Sequence, residues 1–212
     1  EGDLFGKNII PRLINSMKIY GYDYQENNKI METKLFEREG ILMEEGVEQS
    51  RDSAYWRDVG TIEQYFLANM DLVMPDPEFN LYGSWKFKTI DYEAGPAKVV
   101  NAPNCIACEG SIITNVTGKD VVIGPLARAH QSHLERVIIF NRSRIQHCNI
   151  RNTIIDKDVN INGMEIGFDV KADLERGIFV DPESGIRVVP KEYSPTDPTK
   201  WYAPPESDKI GD

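Results

Sequence analysis

The chain has few of the features that mark a secreted, membrane-bound or nucleic-acid-binding protein. It holds three cysteines in 212 residues, too few for a four-cysteine zinc site or a disulfide framework, so reduced thiols are expected. No apolar run approaches the roughly 20 residues of a membrane helix, and the start does not resemble a signal peptide. A net charge of −10 argues against nucleic-acid binding, which needs a basic surface. We therefore expect a cytoplasmic protein.

What is present is ordinary for a folded protein, with 41% hydrophobic and 27% charged residues, enough for one large or two small domains. The three histidines are His130, His133 and His147. His130 and His133 could ligate a metal, but contact with solvent or a neighbouring subunit at a corner of the fold is the favoured interpretation.

Aliphatic residues recur in steps of six, five and five, which gives a repeat of sixteen residues. Neither helical periodicity nor strand alternation produces such steps, whereas a three-sided parallel β-helix places one inward aliphatic residue on each short side. The pattern predicts that Ile106 and Ile112 add one less regular coil upstream and that the repeat ends near Gly167. The repeating positions are Ile123, Ala129, Leu134, Ile139, Ile145, Ile150, Ile155, Ile161 and Ile166.

The heptapeptide Tyr55-Trp56-Arg57-Asp58-Val59-Gly60-Thr61 is the second informative pattern. Its spacing predicts a short strand with Trp56 and Asp58 on the same side, followed by a helix that Thr61 caps. An indole beside a carboxylate suits a sugar ring packed on one and a divalent metal or hydroxyls held by the other. A half-buried strand with an exposed Asp58 fits the same spacing.

Other segments have simpler patterns. Residues 9–14 form a short amphipathic helix, residues 18–24 alternate like a strand, and the charged residues 25–54 are expected to be a surface loop or lid. Residues 61–73 form a helix with Ile62, Phe66, Met70 and Val73 on one apolar face, which is more typical of a core than of a ligand site. Residues 177–189 form a hairpin.

Together these residues resemble the C-terminal half of bacterial glucose-1-phosphate adenylyltransferase, nearly from end to end. The heptapeptide 55–61 is the most specific element of the resemblance. The remaining elements are Phe5-Gly6-Lys7, Ile9-Ile10-Pro11, Ala68-Asn69-Met70-Asp71-Leu72, Asn80-Leu81-Tyr82, Trp85, Pro96-Ala97-Lys98, Ile154-Ile155-Asp156-Lys157 and Gly185-Ile186.

The resemblance implies a fold in three parts. Residues 1–96 would be the C-terminal portion of a Rossmann-like α/β nucleotidyltransferase catalytic domain with its connection. Residues 97–170 would be a left-handed parallel β-helix, and residues 171–212 a hairpin and tail.

The resemblance also implies a reaction, the transfer of the adenylyl group of ATP to glucose 1-phosphate with Mg²⁺, giving ADP-glucose and pyrophosphate for glycogen synthesis. Asp58 would be the catalytic magnesium ligand and Trp56 would line the sugar pocket. Lys157 and Lys191 would contact phosphorylated effectors of a homotetramer; ordinary surface lysines are the alternative for both.

Some expected parts are absent or changed. The glycine-rich nucleotide loop and the phosphate-handling lysine of such enzymes belong to an N-terminal half, so this chain alone is expected to be inactive. The apolar face of the helix 61–73 would pack on a sheet that is partly missing with that half, which predicts exposed apolar surface or extra self-association. Leu4 stands where most members carry an Asp that contacts the sugar. Two alternatives remain open, a hexapeptide-type acyltransferase, which also uses a left-handed β-helix, and a non-catalytic regulatory or assembly subunit.

Overall fold

The computed structural model describes residues 4–23, 29–52, 55–74, 77, 94–191 and 193. The chain forms two compact units, residues 1–54 and residues 55–212. They are called the N-terminal and the C-terminal unit below. The predicted boundaries at residues 96/97 and 170/171 remain predictions.

The N-terminal unit contains a short helix and a hairpin. A π-helical turn, Phe5–Ile9, continues into α1, Ile10–Leu13, which has a proline in its first turn, where the missing N–H costs nothing. The predicted strand at 18–24 is wrong over residues 18–23, which have no regular structure; residue 24 lies outside the described part.

The charged segment that the sequence placed in a surface loop forms an antiparallel hairpin over its described residues 29–52. Strand β1, Lys29–Arg38, pairs with β2, Ile41–Asp52. Glu39 and Gly40 between them have φ values of 55° and 78°, which is the conformation of a two-residue turn that matches the twist of paired strands. The loop prediction was wrong because a high content of charged residues does not exclude strands, and the turn at Glu39 and Gly40 was not recognised in the sequence.

The C-terminal unit is built around a parallel β-helix with three faces. Strands β6, β8 and β10 pair in parallel with an offset of sixteen residues, so that Val121 lies beside Val137 and Val137 beside Thr153. The predicted repeat length is therefore confirmed. The strands are β3 Lys98–Val100, β4 Cys105–Ala107, β5 Ile112–Thr114, β6 Thr117–Ile123, β7 Arg128–His130, β8 His133–Ile139, β9 Arg144–Gln146, β10 Asn149–Ile155, β11 Asn160–Asn162 and β12 Glu165–Ile166.

All nine residues of the predicted aliphatic ladder lie inside the coils, each with at most 1% of its surface exposed. Upstream the prediction is one residue out of register, because Ile113 is fully buried whereas Ile112 is half-buried. Ala107, rather than Ile106, packs against the same core. A slip of one residue in a strand exchanges inward and outward side chains, which explains the error.

Left-handed backbone conformations form the corners between the faces. Non-glycine residues with φ between 42° and 63° follow one another at steps of five and six residues, the period of the ladder. Such residues are uncommon because Cβ meets the backbone there, so their regular recurrence is a property of the coil. They are Asn115, Asp120, Leu126, Gln131, Arg136, Arg142, His147, Asn152 and Asp158.

A helix and a hairpin close the C-terminal end of the β-helix. Helix α3, Val170–Glu175, begins at Asp169, whose carboxylate accepts hydrogen bonds from two backbone N–H groups. Strand β13, Phe179–Val180, pairs antiparallel with β14, Arg187–Val189, which confirms the predicted hairpin, and β14 also lies parallel to β10.

Helix α2, Ile62–Val73, packs on the outside of the β-helix rather than exposing its apolar face. Phe66 is 1% exposed and lies in a cluster with Ile138, Ile154 and Ile186. The prediction that this face needs a missing sheet was wrong. The last three residues of β8 and of β10, residues 137–139 and 153–155, are buried at every position. This is typical of parallel strands covered on both faces, and α2 packs on their outer side.

Candidate functional site

The heptapeptide 55–61 is an extended segment without strand pairing, so the predicted short strand is wrong. The alternation of a strand is nevertheless present. Trp56 is 80% exposed and Asp58 is also exposed, whereas Tyr55 and Arg57 are half-buried. The indole and the carboxylate therefore both face solvent, as the spacing predicted.

Asp71 on α2 fixes this segment from its inner side. The Tyr55 hydroxyl donates a hydrogen bond to Asp71 Oδ2 at 3.2 Å, and Arg57 Nε donates to the same oxygen at 2.8 Å. Arg57 also donates to Gln64 Oε1 at 3.3 Å. The hydrogen bond to Asp71 raises the pKa of Arg57, and desolvation by burial raises the pKa of Tyr55. Both groups therefore stay protonated as donors, and the segment between them is held in place.

Only one of the two carboxylate oxygens of Asp58 accepts a hydrogen bond from a described residue. Its Oδ1 accepts a hydrogen bond from the Gly60 N–H at 3.1 Å, and within the described residues no donor is found for Oδ2. The predicted cap follows immediately, since Thr61 Oγ1 accepts from the Gln64 N–H at 3.2 Å at the start of α2. The turn and the cap set the direction of Asp58.

The fit of Asp58 to a magnesium ion can be tested against the acidic residues around it. Mg²⁺ in proteins usually takes one or two carboxylates, with substrate phosphates and water completing an octahedron. No group of three or more His, Cys, Asp or Glu side chains suited to a metal occurs in the described part of the chain. Asp58 fits as one ligand of a metal that substrate phosphates also hold, not as part of an all-protein site.

The two predicted effector lysines belong to one charged cluster at a corner of the β-helix. Arg142 and Asp158 form a two-pronged ion pair, with Nε donating at 2.6 Å and a terminal nitrogen at 2.7 Å. Hydrogen bonds from Arg142, then its charge and those of Lys191 and Lys157, lower the pKa of Asp158. The fold thus places Lys157 and Lys191 near enough to Asp158 for their charges to favour its ionised form, although the two lysines are far apart in sequence.

The sequence interpretation missed Arg142 as the third cation of this cluster. Arg142 and Asp158 are sixteen residues apart and occupy the same corner in successive coils. The repeat length contained the signal, because residues separated by one repeat are stacked in a β-helix.

Among the described residues, the histidines and cysteines belong to no group of three or more side chains that could hold a metal ion. The rings of His130 and His147 meet edge to face at 5.9 Å, and His133 Nδ1 lies 3.0 Å from Thr117 Oγ1. Burial raises the pKa of all three thiols, which are free, so they are poor nucleophiles. Among the described helices, none has the length and apolarity to cross a membrane.

One family model and several named proteins match this sequence. The family model described as GlmU-like, C-terminal hexapeptide matches residues 89–189. The glucose-1-phosphate adenylyltransferase of Deinococcus deserti is 37% identical over 207 residues, which cover 92% of this chain and 46% of that protein. The enzyme of the same name from Koribacter versatilis is 33% identical over 90% of this chain and 43% of its own length.

The chain is similar to the C-terminal half of glucose-1-phosphate adenylyltransferases. It spans a little less than half the length of the relatives it matches. The predicted resemblance is confirmed, and so is the fold class, an α/β fragment followed by a left-handed parallel β-helix.

The similarity to adenylyltransferases extends well beyond the β-helix. A hexapeptide-type acyltransferase would account for residues 89–189, but it leaves the heptapeptide 55–61 without a role. The adenylyltransferase relatives match about nine-tenths of the chain, so the acyltransferase alternative is not favoured.

Proposed function

We propose that this chain is the C-terminal half of an enzyme that transfers the adenylyl group of ATP to glucose 1-phosphate. The products would be ADP-glucose, used for glycogen synthesis, and pyrophosphate. The observation that carries the proposal is the heptapeptide 55–61, which Asp71 fixes from within so that Trp56 and Asp58 face solvent together. The proposal is supported by similarity to glucose-1-phosphate adenylyltransferases over about nine-tenths of the chain.

Trp56 and Asp58 have distinct roles in this proposal. The Trp56 indole packs against the glucose ring, as aromatic faces do with the apolar face of a sugar. Asp58 uses its spare carboxylate oxygen to hold Mg²⁺, while the Gly60 N–H keeps the other oxygen in place. When bound, the metal neutralises charge on the reacting phosphates, and the residues contribute by positioning.

The remaining parts of the active site belong to the N-terminal half in this proposal. That half supplies the ATP site, so the 212-residue chain alone is inactive. The complete enzyme is a cytoplasmic homotetramer, in which the β-helix provides both subunit contacts and effector sites.

A direct test of the proposed reaction is pyrophosphate formation from ATP, glucose 1-phosphate and magnesium by the chain joined to its N-terminal half. Stimulated pyrophosphate release would support the proposal, and its absence would move the assignment to a regulatory subunit. Heat protection of the 212-residue chain distinguishes the fold-related alternative, since acetyl-CoA should protect an acyltransferase and a sugar phosphate should protect the proposed enzyme.

Lys157 and Lys191 are proposed to bind the phosphate of an effector beside Arg142. Changing either lysine to glutamine in the complete enzyme should raise the concentration of effector required for half-maximal response by about tenfold, since a hydrogen bond to a charged group is worth roughly 1.5 kcal/mol or more. The measurement is initial rate against concentration of glucose 6-phosphate or inorganic phosphate as probes.

The matched control for the effector prediction is Lys119→Gln. Lys119 lies on β6, where it pairs with Glu135 at 3.1 Å on the surface, and its loss should leave the response unchanged. Equal responses in Lys157→Gln, Lys191→Gln and wild type to a probe that does act on the enzyme would show that these lysines are ordinary surface residues.

A further inference from the structure

Arg57 is the only basic residue of the heptapeptide 55–61, and two roles are open to it. An arginine beside a metal-binding carboxylate could bind a phosphate group of a substrate, since its planar fork matches phosphate oxygens. It could instead hold the segment in place and never meet a substrate. The hydrogen bonds of the Arg57 guanidinium distinguish these two roles.

All three nitrogens of the Arg57 guanidinium donate to side chains of α2. Nε donates to Asp71 Oδ2 at 2.8 Å, one terminal nitrogen donates to the same oxygen, and the other donates to Gln64 Oε1 at 3.3 Å. Gln64 and Asp71 are seven residues apart, about two helical turns, so they lie on the same side of α2. The fork that a phosphate would need is therefore directed at the helix.

The backbone of the segment has no strand pairing to fix its direction. Residues 55–59 form no strand in the described structure, and side chains take over this task. Tyr55 and Arg57 both donate to Asp71 Oδ2. Because successive side chains of an extended segment point to opposite sides, binding residues 55 and 57 to α2 turns Trp56 and Asp58 outward.

Helix α2 is a rigid base for these contacts because both of its ends are attached to the β-helix. Near its start, Phe66 is 1% exposed and packs with Ile138 on the outer side of the coils. Near its end, the Asn104 amide donates to the Val73 carbonyl at 3.1 Å. A site held by a packed helix is placed more precisely than a site held by a loop.

We propose that Arg57 and Asp71 form a positioning pair for Trp56 and Asp58, and that Arg57 does not bind a substrate phosphate. The pair acts through the backbone of the segment and touches no reacting atom. This inference rests on the proposed adenylyl transfer, since it assigns the pair an effect on the binding of glucose 1-phosphate and on the placement of Mg²⁺.

The test is steady-state kinetics of the complete enzyme in three variants, Arg57→Met, Asp71→Asn and the double variant. Each single variant should lower kcat/KM for glucose 1-phosphate by about 10²-fold, the effect of misplacing catalytic groups by about 1 Å. The double variant should be no worse than either single variant, because residues that act as one unit are not additive. The KM for ATP should stay unchanged, since the proposal places the ATP site in the N-terminal half.

A phosphate-binding role for Arg57 predicts a different pattern of losses. Asp71→Asn would then leave the guanidinium free to bind phosphate and keep kcat/KM near that of the wild type, while Arg57→Met alone would be strongly impaired. This pattern would overturn the positioning pair. So would losses that add in the double variant, because they would show that the two residues act separately.

Glu135→Gln is the matched control, because it changes the carboxylate of another ion pair to its amide. Glu135 pairs with Lys119 at 3.1 Å, and its side chain is 39% exposed compared with 35% for Asp71. This control should keep the kcat/KM of the wild type. An effect on folding alone would lower kcat in Asp71→Asn without raising the KM for glucose 1-phosphate, and that result would also contradict the positioning role.

Failure of this inference can be distinguished from failure of the proposed reaction. A wild-type enzyme that forms no pyrophosphate would overturn the reaction and the positioning pair together. An active wild type with an unimpaired Asp71→Asn variant would overturn the pair and leave the reaction standing.

Discussion

Replacing Asp58 by asparagine in the complete enzyme is expected to lower kcat for pyrophosphate formation by at least about 10³-fold, since a metal contributes several kcal/mol to the transition state. The substitution is nearly isosteric. The asparagine oxygen can still accept the Gly60 N–H that Asp58 Oδ1 accepts at 3.1 Å, so the turn before α2 is preserved. The substitution removes only the negative charge with which Asp58 would bind Mg²⁺.

The measurement is a steady-state assay of pyrophosphate release over a range of magnesium concentrations. Asp169→Asn is the matched control, because Asp169 is an exposed carboxylate that accepts backbone N–H groups at the start of α3, and asparagine caps helices as well as aspartate does. This control should keep wild-type activity. If Asp58→Asn did so as well, Asp58 would not be the metal ligand and the role of the heptapeptide would be confined to the sugar.

The part of the fold that could be predicted is the part that repeats. Ile123, Ile139 and Ile155 occupy equivalent places in successive coils, so each confirms the others, and all three are fully buried. A single apolar residue carries little information about its environment, but a repeat carries the same information many times. The prediction failed first at Ile112, although the repeat of sixteen residues continues upstream. Ile113 lies beside Ala129 and Ala107 beside Ile123, so counting back sixteen residues gives the inward positions, whereas the apolar character of Ile112 alone does not.

Packing between unlike elements could not be predicted in the same way. The apolar stripe of α2 predicted a face that needs a partner, but it did not show that the partners would be Ile138 and Ile154 on the outside of the β-helix, so exposed apolar surface was expected instead. A stripe of apolar residues defines a face and leaves its partner unspecified. The runs Val137-Ile138-Ile139 and Ile154-Ile155 held the missing signal, since strands that alternate cleanly would have had polar residues at the outer positions.

At the candidate site, too, local features could be predicted from the sequence and contacts between distant residues could not. Local alternation of exposed and half-buried residues predicted that Trp56 and Asp58 share one side of the segment. Both are exposed, although the expected strand did not form. Asp71, which fixes the segment through Tyr55 and Arg57, is too distant in sequence for spacing to reveal it. Arg142 was within reach, because the repeat of sixteen residues places it above Asp158.

The largest expected loss of stability comes from removing Asp173, a carboxylate with no exposed surface at the closed end of the β-helix. It accepts hydrogen bonds from the Gly167 N–H at 3.0 Å, from Arg187 Nε at 3.0 Å and from Arg176 at 2.9 Å. Three segments of the chain therefore meet at one side chain. Asp173→Ala should lower the free energy of unfolding by roughly 3–5 kcal/mol, the cost of leaving a buried charge unpaired.

Urea unfolding of the 212-residue chain, followed by circular dichroism, measures this loss. Glu175→Ala is the control on the same helix, because its ion pair with Lys171 spans 3.8 Å at the surface and contributes at most about 0.5 kcal/mol. If Asp173→Ala also lowered the free energy of unfolding by no more than about 0.5 kcal/mol, water would replace the carboxylate without loss of stability.

The double variant Asp173→Leu, Arg187→Met distinguishes an unpaired charge from a general failure of packing. Apolar replacement of a whole buried pair is often neutral, whereas removal of one partner is strongly destabilising. Here the Gly167 N–H and Arg176 still lose their acceptor, and Arg187 no longer donates to the Gly185 carbonyl. We therefore expect the double variant to recover part, but not all, of the stability that Asp173→Ala loses. No recovery would mean that the end of the β-helix depends on the shape of Asp173 rather than on its charge.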